Sequence, residues 1–217
     1  MNKNSEILKF KLDEILVVLL ELDSLKKDIL NIHNEKEEYF ENMIKKSKFF
    51  YRLYLNYTKL FIIDSHKLIG KNEDFNLLNL INYCQTNIEK IEWHNRINYE
   101  DLNKLKTKFE LVSIHFNTVN LLRNKVYAHN DKKKYDFKYP ITLKDFWEIL
   151  EAMQFIFKEI ASHFNNTDWH FEILYTEPIE IKNAYKYSKI KDLYFDVMKS
   201  DQTNIDFNDL RKIIIEK

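Results

Sequence analysis

The stretch from Asn98 to Val126 reads NYEDLNKLKTKFELVSIHFNTVNLLRNKV. Leu105, Phe109, Val112, Phe116, Val119, Leu122 and Val126 recur in it at steps of three and four residues. That is the period of one helix face, so the segment predicts a long amphipathic helix. Asn98 stands where an N-cap belongs, with Asp101 three residues on in the position of a capping box. The same periodicity extends outward in both directions. Upstream, Leu8, Leu12, Ile15, Leu19, Leu22 and Ile29 mark a first helix that breaks at Asn31-Ile32-His33-Asn34. A second, aromatic stripe (Phe40, Met43, Ser47, Phe50, Tyr54, Tyr57, Phe61) predicts a helix from about Glu35 to Asp64, with small Ser47 as a point of close approach. After a loop around Gly70, with Asn72 or Asp74 as the next N-cap, Leu77, Leu80, Ile81, Cys84 and Ile88 share one face of a shorter helix. Downstream, Thr142 and Asp145 open a helix from Leu143 to about His163.

These elements predict an all-α protein: an antiparallel bundle of four to five long helices over residues 1–165, then a short irregular appendage over 166–217. Within that tail, Trp169 to Tyr175 alternates at period two and reads as a short strand, and Asp206 caps a last helix, Phe207 to Ile215. Composition agrees. The chain has 217 residues but one Gly and two Pro, too few for the turns of a β-sandwich or for a glycine-rich phosphate loop. Thirty-four basic residues balance thirty-four acidic ones, so no global charge announces a nucleic-acid or membrane partner. Cys84 is the only cysteine, which excludes a disulfide framework and a cysteine-rich zinc site. Its place on an apolar face reads as a small inert hydrophobe. The longest early apolar run, Ile15 to Leu20, is far short of the roughly 20 residues that span a bilayer. With no leader-like start, the expectation is a cytoplasmic protein without membrane contact.

Most catalytic patterns are missing. There is no His-Glu-x-x-His, no close His/Cys/Asp cluster with metal-ligand spacing, and no Glu-x-x-His pair, so neither metal nor cofactor is expected. One local sequence stands out: Leu121-Leu122-Arg123-Asn124-Lys125-Val126-Tyr127-Ala128-His129-Asn130-Asp131. On an ideal helix Arg123 falls at about 40°, between Val112 at about 20° and Phe116 at about 60°, in the middle of the stripe that should be buried. A guanidinium there needs an anion: a carboxylate of this chain or of a second one, or a phosphate of a ligand. His129 lies about 120° further round and about 9 Å further along, so the two side chains diverge on one straight helix. They reach one atom only if the helix ends near His129 or if the site is shared between two copies. Taken alone, His129 reads as a neutral core histidine, the usual role of a lone His three residues beyond Val126, and Tyr127 and Asp131 as a solvated network at a helix end.

The string Arg123-Asn124-Lys125-x-x-Ala128-His129-x-Asp131 resembles the signature of HEPN-domain proteins, in which Arg is followed after four to six residues by His. The segment from Tyr39 to Ile81, with its aromatic helix and the run Phe75-Asn76-Leu77-Leu78-Asn79-Leu80, is similar to the abortive-infection branch of that group. The resemblance covers roughly residues 5 to 165. It implies a homodimeric helical bundle that cleaves RNA without a metal, in phage defence or as the toxin of a toxin–antitoxin pair. An antitoxin or other regulatory protein is then a possible partner beside the RNA. Arg123 and His129 are the implied catalytic residues, with Asn124, Lys125, Tyr127 and Asp131 supporting them. One position departs from the pattern: where a sub-branch carries a Tyr that an antitoxin adenylylates, this chain has Asp131. The residues suit the chemistry. RNA brings its own 2′-OH nucleophile, an imidazole moves protons near neutrality, and a guanidinium holds the phosphate by two parallel bonds. Lys125 with Lys132, Lys133 and Lys134 can attract the RNA backbone. A non-catalytic helical dimerisation module is the alternative, with Arg123 and His129 as a buried polar network.

Overall fold

The computed structural model describes residues 1–33, 45, 47–127, 142–171 and 179–199, and all regular structure among them is helical. Helix α1 (Lys3–Ile32) starts because Asn2 leaves the helical region and its side chain accepts from the Ser5 amide. All six apolar positions predicted from period are buried in it. It ends at His33, as expected. Helix α2 (Lys48–Ile69) follows; Ser47 occupies the N-cap position without a side-chain cap bond. The predicted start of this helix, 35–44, lies outside the described residues. Its other end corrects the sequence reading. The helix continues past Asp64 because Ser65, Leu68 and Ile69 prolong the buried face, and it stops only at Gly70.

Helix α3 (Leu77–Thr86) is capped by Asn76 rather than by Asn72 or Asp74. Asn76 wins because it serves both sides of the junction. Its Oδ1 accepts from Asn79 N at 2.7 Å, while its Nδ2 donates to the carbonyls of Gly70 and Glu73. Helix α4 (Tyr99–Val112) begins at Asn98, whose side chain accepts from the Asp101 amide as predicted. The single rod expected from Asn98 to Val126 is interrupted twice. A 3-10 turn at Ser113–His115 separates α4 from α5 (Phe116–Leu121), and α5 opens into a π-helical turn, Leu122–Tyr127. Helix α6 (Leu143–Asn165) carries the predicted capping box: Thr142 Oγ1 accepts from Asp145 N, and the Asp145 carboxylate accepts from Thr142 N. It ends at Asn166, the one described non-glycine residue with a left-handed backbone, φ 57°.

Helix α1 is the spine of the bundle, with α2 and α6 packed along it and α3 and α4 closing the other side. Phe61 of α2 meets Phe146 and Trp147 of α6 at 5.5 and 5.3 Å between ring centres, tying those two helices together. The tail differs from expectation. Residues 179–199 form a 21-residue helix, α7 (Ile179–Lys199), rather than irregular chain, and none of its described side chains is buried. Its residues favour helix locally and contain neither Gly nor Pro, and Tyr187, Ile190, Tyr194 and Val197 recur at steps of three and four as a short, weak pattern. The predicted strand is not formed where the chain is described. Trp169 and His170 are irregular, Phe171 sits in a 3-10 turn, and Trp169 and Phe171 both pack on Phe157 of α6. The alternation there marks two rings turned toward one helix. Residues 172–175 and the predicted helix from 207 to 215 lie outside the described residues.

Candidate functional site

Arg123 is the second residue of the π-helical turn and is half-buried. The ideal-helix phase count placed it in the centre of the buried stripe, and the structure corrects this. Phe116, Val119 and Leu122 are buried as expected, but from Leu122 the backbone widens to i→i+5 bonding, and the count of 100° per residue no longer holds. The Arg123 side chain is left half-buried rather than buried. Its Nη1 donates to Asn124 Oδ1 at 2.7 Å, and Asn124 itself is exposed. Among the described residues no carboxylate pairs with Arg123. The backbone of Lys125 and Tyr127 belongs to the same turn. Their side chains, and the whole of His129, Asp131 and Lys132 to Lys134, lie outside the described residues. The structure therefore brings Arg123 and Asn124 together and leaves the remaining predicted site residues untested.

Helix α2 packs against this turn and brings a histidine that sequence reasoning did not single out. His66 has its proton affinity lowered, first by burial and second by the nearby positive charge of Arg123, with Glu73 acting in the opposite sense. Its Nδ1 stands 3.3 Å from Glu73 Oε1. The loop after α2 makes this contact possible. Gly70 N donates to His66 O at 2.7 Å, and Glu73 N donates to Gly70 O at 3.2 Å. A Cβ on Gly70 would lie 2.8 Å from both His66 Cε1 and His66 O, and 2.9 Å from Glu73 Cγ. The only glycine of the chain is therefore placed for close approach, not for a left-handed turn. Ser65, Leu68, Ile69 and Gly70 mark in the sequence that the helix runs past Asp64, but no spacing pairs His66 with Glu73 or Arg123.

Two buried polar atoms in these same elements lack partners. Ser65 Oγ on α2 and Asn120 Oδ1 on α5 have no hydrogen bond, and they sit one and three residues from His66 and Arg123 in the chain. Native interiors contain few such atoms, and each costs stability. A second cluster lies elsewhere. His115 in the 3-10 turn and Asp145 and Glu148 at the start of α6 hold one donor atom each within 4.8 Å of the others. The sequence showed no metal-ligand spacing because these residues come from two elements thirty positions apart. Cys84 is as expected: fully buried, with burial pushing its thiol up to about 12.

The HEPN_AbiU2 family, described as AbiU2, matches residues 21–185. No curated protein and no solved structure matches the chain. The match covers most of the sequence and includes α2, the π-helical turn with Arg123, and all of α6. This helical bundle is thus a HEPN-type domain of the abortive-infection class. The chain belongs to the HEPN_AbiU2 family. No helix among the described residues is long and apolar enough to cross a membrane.

Proposed function

We propose that this protein is a metal-independent endoribonuclease of a phage-defence or toxin–antitoxin system, acting as a homodimer on RNA in the cytoplasm. The observation that carries the reading is Arg123: a half-buried guanidinium on a π-helical turn packed against the helix that carries His66, with no described carboxylate to neutralise it. Such a cation is suited to an incoming phosphate. Turns of this kind are frequent at functional sites, and the unpartnered Ser65 and Asn120 oxygens on the adjoining helices fit elements shaped for something other than stability. Membership of the HEPN_AbiU2 family supports the same reading.

In the proposed reaction His129 takes the proton from a ribose 2′-OH. The oxygen attacks the adjacent phosphorus, and the 5′-oxygen leaves with a proton given by the His129 imidazolium of either copy. Arg123 stabilises the added charge of the pentacoordinate state. The products are a 2′,3′-cyclic phosphate and a 5′-OH. Two copies related by a two-fold axis pool Arg123 and His129 in one cleft. Asn124, already bonded to Arg123, fixes the guanidinium plane, while Lys125, Tyr127 and Asp131 support the site. An antitoxin or other regulatory protein restrains the activity. The test is to sequence RNA ends after induction of the protein in cells. Cyclic-phosphate ends should accumulate with the native chain and not with His129→Ala. Equal accumulation with both removes His129 from the reaction.

A further inference from the structure

The cluster at the base of α6 is a different matter from the Arg123 site, and it does not depend on the cleavage reading. His115 Nε2 stands 3.9 Å from Asp145 Oδ1. That is too long for a hydrogen bond, yet two donors each about 2.1 Å from one ion stand roughly 3–4 Å apart. Glu148 follows Asp145 by three residues on α6, so both carboxylates rise from one helix face. The third donor approaches from the 3-10 turn between α4 and α5. The capping box orients the central ligand. Asp145 Oδ2 accepts from Thr142 N at 2.6 Å and Thr142 Oγ1 at 2.8 Å, which leaves Oδ1 for the cluster. Metal-bound carboxylates are held by such outer hydrogen bonds. The opposing contact is weak. Lys144 Nζ lies 3.8 Å from Glu148 Oε1, with both side chains well exposed, so an ion displaces it at little cost.

We propose that His115, Asp145 and Glu148 bind one first-row divalent cation of the Zn2+ type. One imidazole with two carboxylates is a mixed nitrogen and oxygen set that favours such an ion over Mg2+ or Ca2+, which take oxygen ligands. Three protein donors leave the remaining positions to water. The ion joins position 115 to position 145, and the chain between them carries Arg123, Asn124, His129 and Asp131. Binding thus closes a loop around every residue of the proposed cleavage site, which restricts that segment in the unfolded chain and pins its two ends in the folded one. The ion is a clasp, and no step of RNA cleavage passes through it.

The experiment is calorimetric titration of the full chain with Zn2+, beside thermal melts with and without Zn2+. His115→Gln and Glu148→Gln should each weaken the strongest Zn2+ site at least tenfold, and both should cut the Zn2+-dependent rise in Tm by about half or more. That rise is about 5–10 °C for the native chain when Zn2+ is a hundredfold above Kd. His170→Gln, which removes the exposed His170–Asp168 pair, should leave the site unchanged. Glu148 is half-exposed and outside the cap, so its variant remains folded by circular dichroism. Absence of Zn2+ binding, or the same affinity in the native chain and both cluster variants, overturns the proposal. Mg2+ binding as tight as Zn2+ overturns the assignment of the imidazole. RNA cleavage by Glu148→Gln reports on the cleavage reading separately, because that residue takes no part in it.

Discussion

Replacing Arg123 by Ala separates a functional guanidinium from a structural one. If Arg123 were half of a buried ion pair, removing it would strand the partner charge and cost about 3–5 kcal/mol. In the structure its described polar partner is the exposed Asn124 Oδ1, at 2.7 Å. A hydrogen bond of that kind contributes about 1 kcal/mol at most in a solvated setting, and the side-chain stem is only half-buried. The expected loss is therefore below about 1 kcal/mol, which for a chain of this size moves Tm by about 2–4 °C or less. A second readout comes from His66. Arg123 is the second cause lowering its proton affinity, after burial, so Arg123→Ala should raise the His66 pKa without restoring it fully. The sign in stability follows. With a lowered pKa in the folded state, the unfolded chain binds the proton more tightly. The contribution of His66 is thus fully present above its unfolded pKa of about 6.5 and is lost as pH falls through the folded value. In the variant that window narrows. The assays are urea unfolding between pH 5 and 8 and a nuclear magnetic resonance titration of the His66 ring. A loss above about 3 kcal/mol, or an unchanged His66 titration, would refute the reasoning.

Three more outcomes are expected. Gly70→Ala places a Cβ 2.8 Å from the His66 carbonyl oxygen, which cannot rotate away, and should destabilise the chain by about 1–3 kcal/mol in urea unfolding. A stabilising result would mean that the loop relaxes freely. Thr142→Ala removes the side-chain half of the α6 capping box, keeps the bond from its backbone N–H to Asp145, and should cost about 0.5–2 kcal/mol, measured by thermal melting. The low carboxyl pKa of Asp145, held down chiefly by the Thr142 backbone amide, should rise in the same variant only as far as the Thr142 side chain contributes. Cys84 should stay unreactive toward an aromatic disulfide reagent at pH 8 until the chain unfolds, since burial keeps the thiol protonated. Fast labelling of the native protein would contradict that.

Period and capping residues carried the fold because each helix spends one face on a shared core. Leu8 to Ile29, Leu77 to Cys84 and Phe146 to Ile160 are all buried where a three-to-four spacing put them. Asn2, Asn98, Thr142 and Asn166 show that short polar side chains set the ends. Where burial does not set the pattern, the sequence says less: none of the described side chains of helix α7 is buried, and its local propensity marks it. The Arg123 site was legible as an anomaly in a stripe, but its geometry was not. A π-helical turn is a backbone event with no side-chain period of its own, and Arg123 within it is half-buried rather than buried. His66 and His115 were missed for a related reason. Each gains its partner through the packing of two elements, Glu73 across a glycine loop and Asp145 across a helix junction, and no spacing along the chain encodes that.

The central claim is tested most directly by incubating purified protein with RNA in EDTA at 25 °C, beside folded and dimeric Arg123→Ala and His129→Ala. The account predicts cleavage to 2′,3′-cyclic phosphate and 5′-OH ends by the native chain and none by either variant. Undiminished cleavage by both variants, or none by the native chain under any condition, would contradict it.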